Sequence, residues 1–148
     1  MKKHVGVIFA VLLAASAGSF VRAEETLEQL ISRADAAQPK QQPDLYMQVA
    51  ERELKITAES YKANKPEDGR AALQQIVNFA DKAHSSAIHS GKRLKHTEIK
   101  IRQIAGRLRD MKLNIDVDDQ GRVQNAIDKL EDFRAELFRS LFGAKSND

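Results

Sequence analysis

The sequence predicts an all-α protein, folded as an antiparallel bundle of helical hairpins. Residues that end helices are rare and widely spaced: the chain after position 23 contains three prolines and five glycines. Ala, Leu, Glu, Lys, Gln and Arg, which favour helix, fill the stretches between them. No stretch of strand length alternates β-branched or other apolar residues with polar ones. Together these observations predict helices and no β-sheet.

The first 23 residues have the pattern of a cleavable signal peptide. A pair of lysines precedes an apolar run, Val5–Ala17, and Val21 and Ala23 occupy the −3 and −1 positions of a cleavage site. The run is shorter than the roughly 20 apolar residues that a membrane-spanning helix needs. We therefore expect residues 1–23 to be removed and the protein to be exported, to a periplasm or outside the cell, with no transmembrane span in the mature chain.

Removal of the signal peptide changes the charge balance. The chain has 24 Lys and Arg against 21 Asp and Glu, and three of the basic residues lie in the first 23 positions, which contain no acidic residue. The mature chain is therefore neutral, with 21 charges of each sign, and gives no reason to expect a nucleic-acid partner. Because the chain has no cysteine, a disulfide framework, a thiolate metal site and covalently attached haem are excluded.

The mature chain divides into a short N-terminal part, one helical domain and a tail. Residues 24–43 read as a short helix followed by a Gln/Pro linker. Residues 44–143 read as a single helical domain, whose first helix is expected at 44–64. The last helix is expected at 119–142, and residues 144–148 read as a flexible C-terminal tail.

The clearest pattern is a heptad seam between these two helices. Small and apolar residues recur at steps of three and four, and they keep one register across Gly91, where a turn between two helices would usually have changed it. The sequence therefore favours one continuous helix, 67–113, packed by helices 44–64 and 119–142. The alternative, an up-and-down four-helix bundle broken at Gly91, stays open. The seam consists of Leu73, Ile76, Ala80, Ala83, Ala87, Ser90, Leu94, Thr97, Ile101, Ile104, Leu108, Met111 and Ile115.

The two halves of the seam predict different packing partners. The Ala-rich half allows a close approach, so helix 44–64 is expected to pack there, and helix 119–142 is expected to pack on the Leu/Ile half.

No self-similar spacing of small and aromatic residues appears at the 34-residue period of tetratricopeptide repeats. The sequence therefore predicts no such repeat.

One segment resembles a calcium-binding loop. Residues 116–123 carry carboxylates and a glycine at the expected positions, but position twelve of the motif is Ile127 instead of a bidentate Glu. We therefore expect a turn in which Asp118 or Asp119 caps the last helix.

Three histidines follow the signal peptide, and their spacing argues against a zinc site. His84, His89 and His96 lie five and seven residues apart, whereas a zinc pair on a helix needs a spacing of three or four. We expect them on solvated helix surfaces. No metal and no cofactor is predicted.

Basic residues recur every seven positions along two flanks of the seam. From Lys92 to Lys112 there are eight Lys or Arg against only Glu98 and Asp110. Such rows can contact an anionic envelope component or an acidic partner helix. They can equally be neutralised internally by the acidic segment that follows Asn114. The candidate contact residues are Arg93, Lys95, Lys100, Arg102, Arg107 and Arg109.

The C-terminal end of the last helix carries apolar residues on more than one face. This cluster either closes the end of the bundle or forms a docking patch for another chain. The candidate patch residues are Phe138, Leu141 and Phe142.

No local signature of catalysis is present, because the sequence has neither a nucleophile beside a base nor a Gly-rich phosphate loop. We therefore expect an exported, non-enzymatic interaction or scaffold protein, with a protein partner or self-association. Two alternatives stay open. One is a compact bundle that binds an anionic envelope component or a small ligand, and the other is an extracytoplasmic chaperone that holds unfolded proteins.

Overall fold

The computed structural model describes residues 23–143, which form five α-helices and no strand. The predicted all-α bundle is therefore confirmed. The expected signal peptide, apart from Ala23, and the expected tail at 144–148 lie outside the described residues. The helices are α1 (Leu27–Ala36), α2 (Gln42–Lys62), α3 (Pro66–Ser90), α4 (Leu94–Lys112) and α5 (Val117–Gly143).

The continuous helix predicted for residues 67–113 is wrong, and the alternative break at Gly91 is correct. Gly91 ends α3 in the left-handed conformation, with φ 63° and ψ 15°. Arg93, immediately before α4, is also left-handed, with φ 64°. Two such residues within three positions turn the chain, so α4 starts a new helix. The seam keeps its register because the seam residues of α3 and those of α4 both lie in one core. Ala87 of α3 and Ile101 of α4 are fully buried there.

Local sequence determines where the first three helices begin. Thr26 and Gln29 form a reciprocal capping box before α1, in which each side chain accepts a hydrogen bond from the backbone N–H of the other residue. Pro43 and Pro66 lie in the first turns of α2 and α3, where a missing N–H costs nothing.

The four long helices form two antiparallel hairpins, α2/α3 and α4/α5, as the stripes of the sequence predicted. The hairpins lie side by side, with α2 parallel to α4 and α3 parallel to α5. Helix α4 packs on both α2 and α3, so it lies in the groove of the first hairpin, whereas α2 and α5 do not pack on each other. The four long helices thus surround one hydrophobic core, as in a helical bundle.

The two hairpins repeat one burial pattern. Each of the six buried residues of α4 lies 51 positions after a buried residue of α2. Each of the six buried residues of α5 lies 50 positions after a buried residue of α3. The two hairpins therefore have the same spacing of buried positions. The equivalent pairs are Tyr46/Thr97, Met47/Glu98, Ala50/Ile101, Glu53/Ile104, Leu54/Ala105 and Thr57/Leu108, then Gly69/Asp119, Leu73/Val123, Ile76/Ala126, Val77/Ile127, Ala80/Leu130 and Ala87/Leu137.

Buried ion pairs fix the register between these helices. Arg70 of α3 donates to both carboxylate oxygens of Asp119, at 2.6 and 3.2 Å, and Asp119 is only 2 % exposed. Arg134 of α5 donates twice to Glu98 of α4, at 2.9 and 2.7 Å. Charge-assisted bonds of this kind are directional, so they hold α5 in place against both α3 and α4.

Helix α1 covers the open side of α2. Leu30 and Ala34 are fully buried there. The hydroxyl of Tyr46 in α2 donates to Asp35 at 2.8 Å.

Within residues 23–143, no helix is both long and apolar enough to cross a membrane.

Candidate interaction surface

The flank of α4 that faces α2 is neutralised by acidic residues of α2. Arg93 makes a two-point contact with Asp44, at 2.9 and 2.6 Å, and the ammonium of Lys100 lies 2.8 Å from Glu51. Both pairs join residues 49 positions apart, so they form a ladder along two parallel helices. The sequence had assigned neutralisation to the segment after Asn114, and for these two residues that assignment is wrong.

Arg107 continues the same row but forms no ion pair with a carboxylate of residues 23–143, although Glu51 and Asp110 line the same groove. The residue 49 positions earlier is Ala58, so the acidic series of α2 has ended at this level. Arg107 is exposed and lines an open groove of about 670 Å³ between α2 and α4, together with Leu54 and Gly106.

The second row, on the opposite flank of α4, is only partly neutralised. Arg109 contacts Glu131 of α5 at 2.6 Å, as internal neutralisation predicts. Lys95 and Arg102 are exposed, and neither forms an ion pair with a carboxylate of residues 23–143. The six predicted contact residues therefore divide into three that are engaged inside the fold and three that remain available.

The C-terminal apolar cluster also divides into a structural part and an exposed part. Leu137 is fully buried, and Phe133 packs against the core and stacks on His84 at 5.0 Å between ring centroids. Phe138 and Phe142 remain 47 % and 60 % exposed, with their rings 5.3 Å apart. One half of the cluster therefore closes the bundle, and the other half is presented to solvent.

One available cation, Lys95, shares a groove with Leu141 of α5, and the other exposed groups follow within two helical turns. Helices α4 and α5 are antiparallel, and Lys95, Ile99 and Leu141 line one open groove of about 510 Å³. Arg102 follows Lys95 after two helical turns on the same flank of α4, and the two phenylalanines flank Leu141 on α5. We call this surface the outer groove. Its residues are Lys95, Ile99, Arg102, Phe138, Leu141 and Phe142.

The solvent exposure of His84 differs from the prediction. It was expected on a solvated surface, but it is buried between α3 and α5. Its Nε2 atom lies 2.8 Å from Glu136, off the geometry of a hydrogen bond, and its Nδ1 atom lies 3.6 Å from Asp81. His89 is exposed and His96 is half-buried. Helical spacing alone does not show that a second helix covers His84.

The segment that resembles a calcium loop is mostly helical. Because α5 begins at Val117, its backbone cannot wrap around an ion. Asp119 lies in the first turn of α5 and forms an ion pair with Arg70. Among residues 23–143, no group of three or more His, Asp or Glu side chains is arranged to hold a metal ion.

One further groove was not anticipated from the sequence. It lies between the parallel helices α3 and α5, has a volume of about 450 Å³, and is lined by Arg70, Arg122 and Lys129 above Leu73 and Val77. Its cations alternate with acidic and amide side chains, and Arg70 is already paired with an acid. It therefore offers a weaker contact than the outer groove.

Comparisons with known proteins give no further guide to this surface. No protein-family model matches the chain, and neither a curated protein nor a solved structure matches it.

Proposed function

We propose that this protein is an exported, non-enzymatic interaction protein that binds a protein partner through the outer groove. One observation carries the proposal: two exposed phenylalanine rings, and two exposed cations that form no ion pair within residues 23–143, lie within about two helical turns of one groove between α4 and α5. Aromatic residues and arginine are the side chains most enriched at the centres of protein interfaces. Export rests on the signal-peptide pattern of the sequence.

The two exposed rings supply apolar area to the proposed interface. An aromatic side chain presents about 200 Å². The exposed fractions of Phe138 and Phe142 therefore correspond to about 210 Å² of ring surface. Covering that surface would contribute about 5 kcal/mol at roughly 25 cal/mol per Å², which is of the same order as the cost of association, so contacts beyond the two rings are needed. The two rings would form the apolar centre of an interface, and the surrounding polar groups would add area and specificity.

The other readings of the sequence have less support. A chaperone that holds unfolded proteins would need an uncovered seam, but Ile101, Ile104 and Leu108 are buried. Catalysis would need several reactive groups gathered in one enclosed site, whereas the grooves are open. Binding of an anionic envelope component would use the same cations, and the experiment below distinguishes it.

The test is site-specific photo-crosslinking in cells that export the protein. The photoreactive amino acid p-benzoylphenylalanine is placed at position 138, where it replaces an exposed ring with a similar one. A matched control carries it at position 55, an exposed lysine of α2. Adducts are separated by mass and identified by mass spectrometry.

The proposal predicts a discrete protein adduct at position 138 that is absent at position 55. Equal adducts at both positions, or none at 138, would refute it. Lipid or polymer adducts at position 138 would also refute it, and would assign the outer groove to an anionic envelope component instead.

A further inference from the structure

The parallel helices α3 and α5 flank a longer groove than the one described between them so far. Its first part has a volume of about 450 Å³, and a second part has a volume of about 320 Å³. Gln74, Val77 and Lys129 line both parts, so the two form one continuous groove, which we call the inner groove. Each part lies within the range of roughly 300–1,000 Å³ that is typical of small-ligand sites. No residue of the outer groove lines it.

The mixed charges of the inner groove are ordered along its length. Arg70 and Arg122 line one end, where α3 and α5 each contribute a guanidinium group. Asp81 and Asp132 line the other end, where each helix contributes a carboxylate. A ligand of one charge sign would therefore be repelled at one end, whereas a ligand with a negative end and a positive end is complementary to both.

One charged group at each end is available to a ligand. Arg122 is 64 % exposed and lies 3.7 Å from Asp119, whose two carboxylate oxygens already accept hydrogen bonds from Arg70. Asp132 is exposed and forms no ion pair with a cation of residues 23–143. Arg122 and Asp132 therefore mark the two ends of the candidate site.

Between these ends, the inner groove offers apolar side chains and amide groups. Leu73 and Val77 are buried and line it with their apolar side chains. The Nε2 atom of Gln74 donates to the Oδ1 atom of Asn78 at 3.1 Å, which leaves the Gln74 carbonyl oxygen and the Asn78 amino group available. Asn125 lines the groove from α5. Such amides match the N–H and C=O groups of an extended peptide, which need partners outside the peptide.

The length of the inner groove determines the length of a matching peptide. Arg70 and Asp81 are eleven positions apart on α3, a distance of about 17 Å at roughly 1.5 Å per residue. An extended peptide advances about 3.3 Å per residue, so about five residues span this distance.

We propose that the inner groove binds a short extended peptide of about five residues with free ends. The C-terminal carboxylate of the peptide pairs with Arg122, and its N-terminal ammonium group pairs with Asp132. Its backbone forms hydrogen bonds with the amide side chains between them, and its apolar side chains cover Leu73 and Val77. This site is separate from the outer groove, and the proposal goes beyond the proposed function.

Other ligand classes fit the inner groove less well. A fatty acid or another anion with a single head group would match Arg122 but would place its apolar tail against Asp132. A polyanion would be repelled by Asp132, and a polycation by Arg122. Asp128 and Lys129 are adjacent on α5 and carry opposite charges, so the middle of the groove favours neither sign.

The test measures binding of the pentapeptide Ala-Leu-Ser-Leu-Ala to the exported form of the protein by isothermal titration calorimetry. The same pentapeptide is also measured with an amidated C-terminus and with an acetylated N-terminus. The proposal predicts that each block weakens binding roughly fivefold or more, because a charged hydrogen bond is lost. Binding of the free pentapeptide should weaken as the salt concentration rises.

Variants assign each end of the peptide to its residue. In Arg122→Gln, amidation should change binding by about twofold or less, because the partner of the carboxylate is already absent, whereas acetylation should keep its full effect. In Asp132→Asn, the two effects should be exchanged. The matched control is Arg139→Gln, which replaces an exposed arginine of α5 that does not line the inner groove, and both effects should remain. Circular dichroism checks that each variant is folded.

Several outcomes would overturn the proposal. Equal binding of the free and blocked pentapeptides, or no binding at millimolar concentration, would remove a short peptide with free ends as the ligand. An equal effect of amidation in the wild type and in Arg122→Gln would place the carboxylate elsewhere. The crosslinking result at position 138 depends on none of these measurements, so a failure of this proposal is distinguishable from a failure of the proposed function.

Discussion

Replacement of Gly69 by alanine should destabilise the protein, whereas the same replacement of Gly106 should stabilise it. A Cβ atom at Gly69 would lie 2.9 Å from the Cε2 atom of Tyr61, and two further ring atoms would lie at 3.0 and 3.1 Å. At Gly106, no atom lies within 4 Å of the new Cβ. Both glycines are helical, so both replacements gain helix propensity, but only the first forces the aromatic ring to move.

The magnitudes follow from these two effects. Alanine is favoured over glycine within a helix by about 1 kcal/mol. Overpacking typically costs about 1–3 kcal/mol, so Gly69→Ala should lower the free energy of unfolding by about 1 kcal/mol. Gly106→Ala should raise it by about 1 kcal/mol. Each change corresponds to a shift of roughly 4 °C in the melting temperature.

Urea and thermal unfolding, followed by circular dichroism, measure both effects. The double variant Gly69→Ala with Tyr61→Leu serves as a control, because removal of the ring should relieve the loss caused by Gly69→Ala. If Gly69→Ala stabilises the protein as much as Gly106→Ala does, the described contact between α2 and α3 is incorrect.

Three further predictions concern buried polar groups. Burial raises the pKa of Glu53. The contribution of its protonated form to stability is therefore present below the ordinary pKa of glutamate and is lost as the pH rises through the folded-state pKa. Urea unfolding from pH 4 to 8 should show that Glu53→Gln stabilises the protein only at the upper end of this pH range. Arg134→Met leaves Glu98 buried without its partner and should cost about 3 kcal/mol in the same assay; a loss under 1 kcal/mol would contradict the pairing. Burial, followed by the hydrogen bond to Asp35, raises the pKa of Tyr46 to about 12, so wild-type stability should fall as the pH rises from 10 to 12. That fall should be smaller in Tyr46→Phe, where only the buried Tyr61, whose pKa is also raised, still contributes to it; an identical fall in the variant would refute the assignment.

The burial pattern of the long helices was predictable from the sequence, but the chain path was not. Heptad spacing reports which side of a helix faces a core, and the seam residues Leu73, Ile76, Ile101, Ile104 and Leu108 are indeed buried. The same spacing does not report continuity. Two helices that face one core can keep a register across a turn, and the left-handed backbone at Gly91 is a tertiary outcome.

The shared spacing of buried positions in the two hairpins was not recognised from the sequence because the matched positions differ in residue type. Met47 corresponds to Glu98, and Gly69 corresponds to Asp119. Glu98 and Asp119 are buried charges that are tolerated because arginines from other helices pair with them. Such pairs join residues 36 and 49 positions apart, a relation that local patterns do not contain.

The candidate surface was predictable as a set of residues but not as a site. The basic rows and the apolar cluster were recognised by their spacing. Only the packing of α4 against α2 shows that Arg93 and Lys100 are engaged inside the fold, while Lys95 and Arg102 are not. Likewise, only the phase of α5 relative to α4 shows which of the clustered phenylalanines remain exposed.

The most direct test of the outer groove as the partner-binding surface is photo-crosslinking from two further positions in cells that export the protein. The account predicts the same discrete protein adduct from position 142 as from position 138, and none from position 107 in the groove between α2 and α4. Adducts at position 107, or none at position 142, would contradict it.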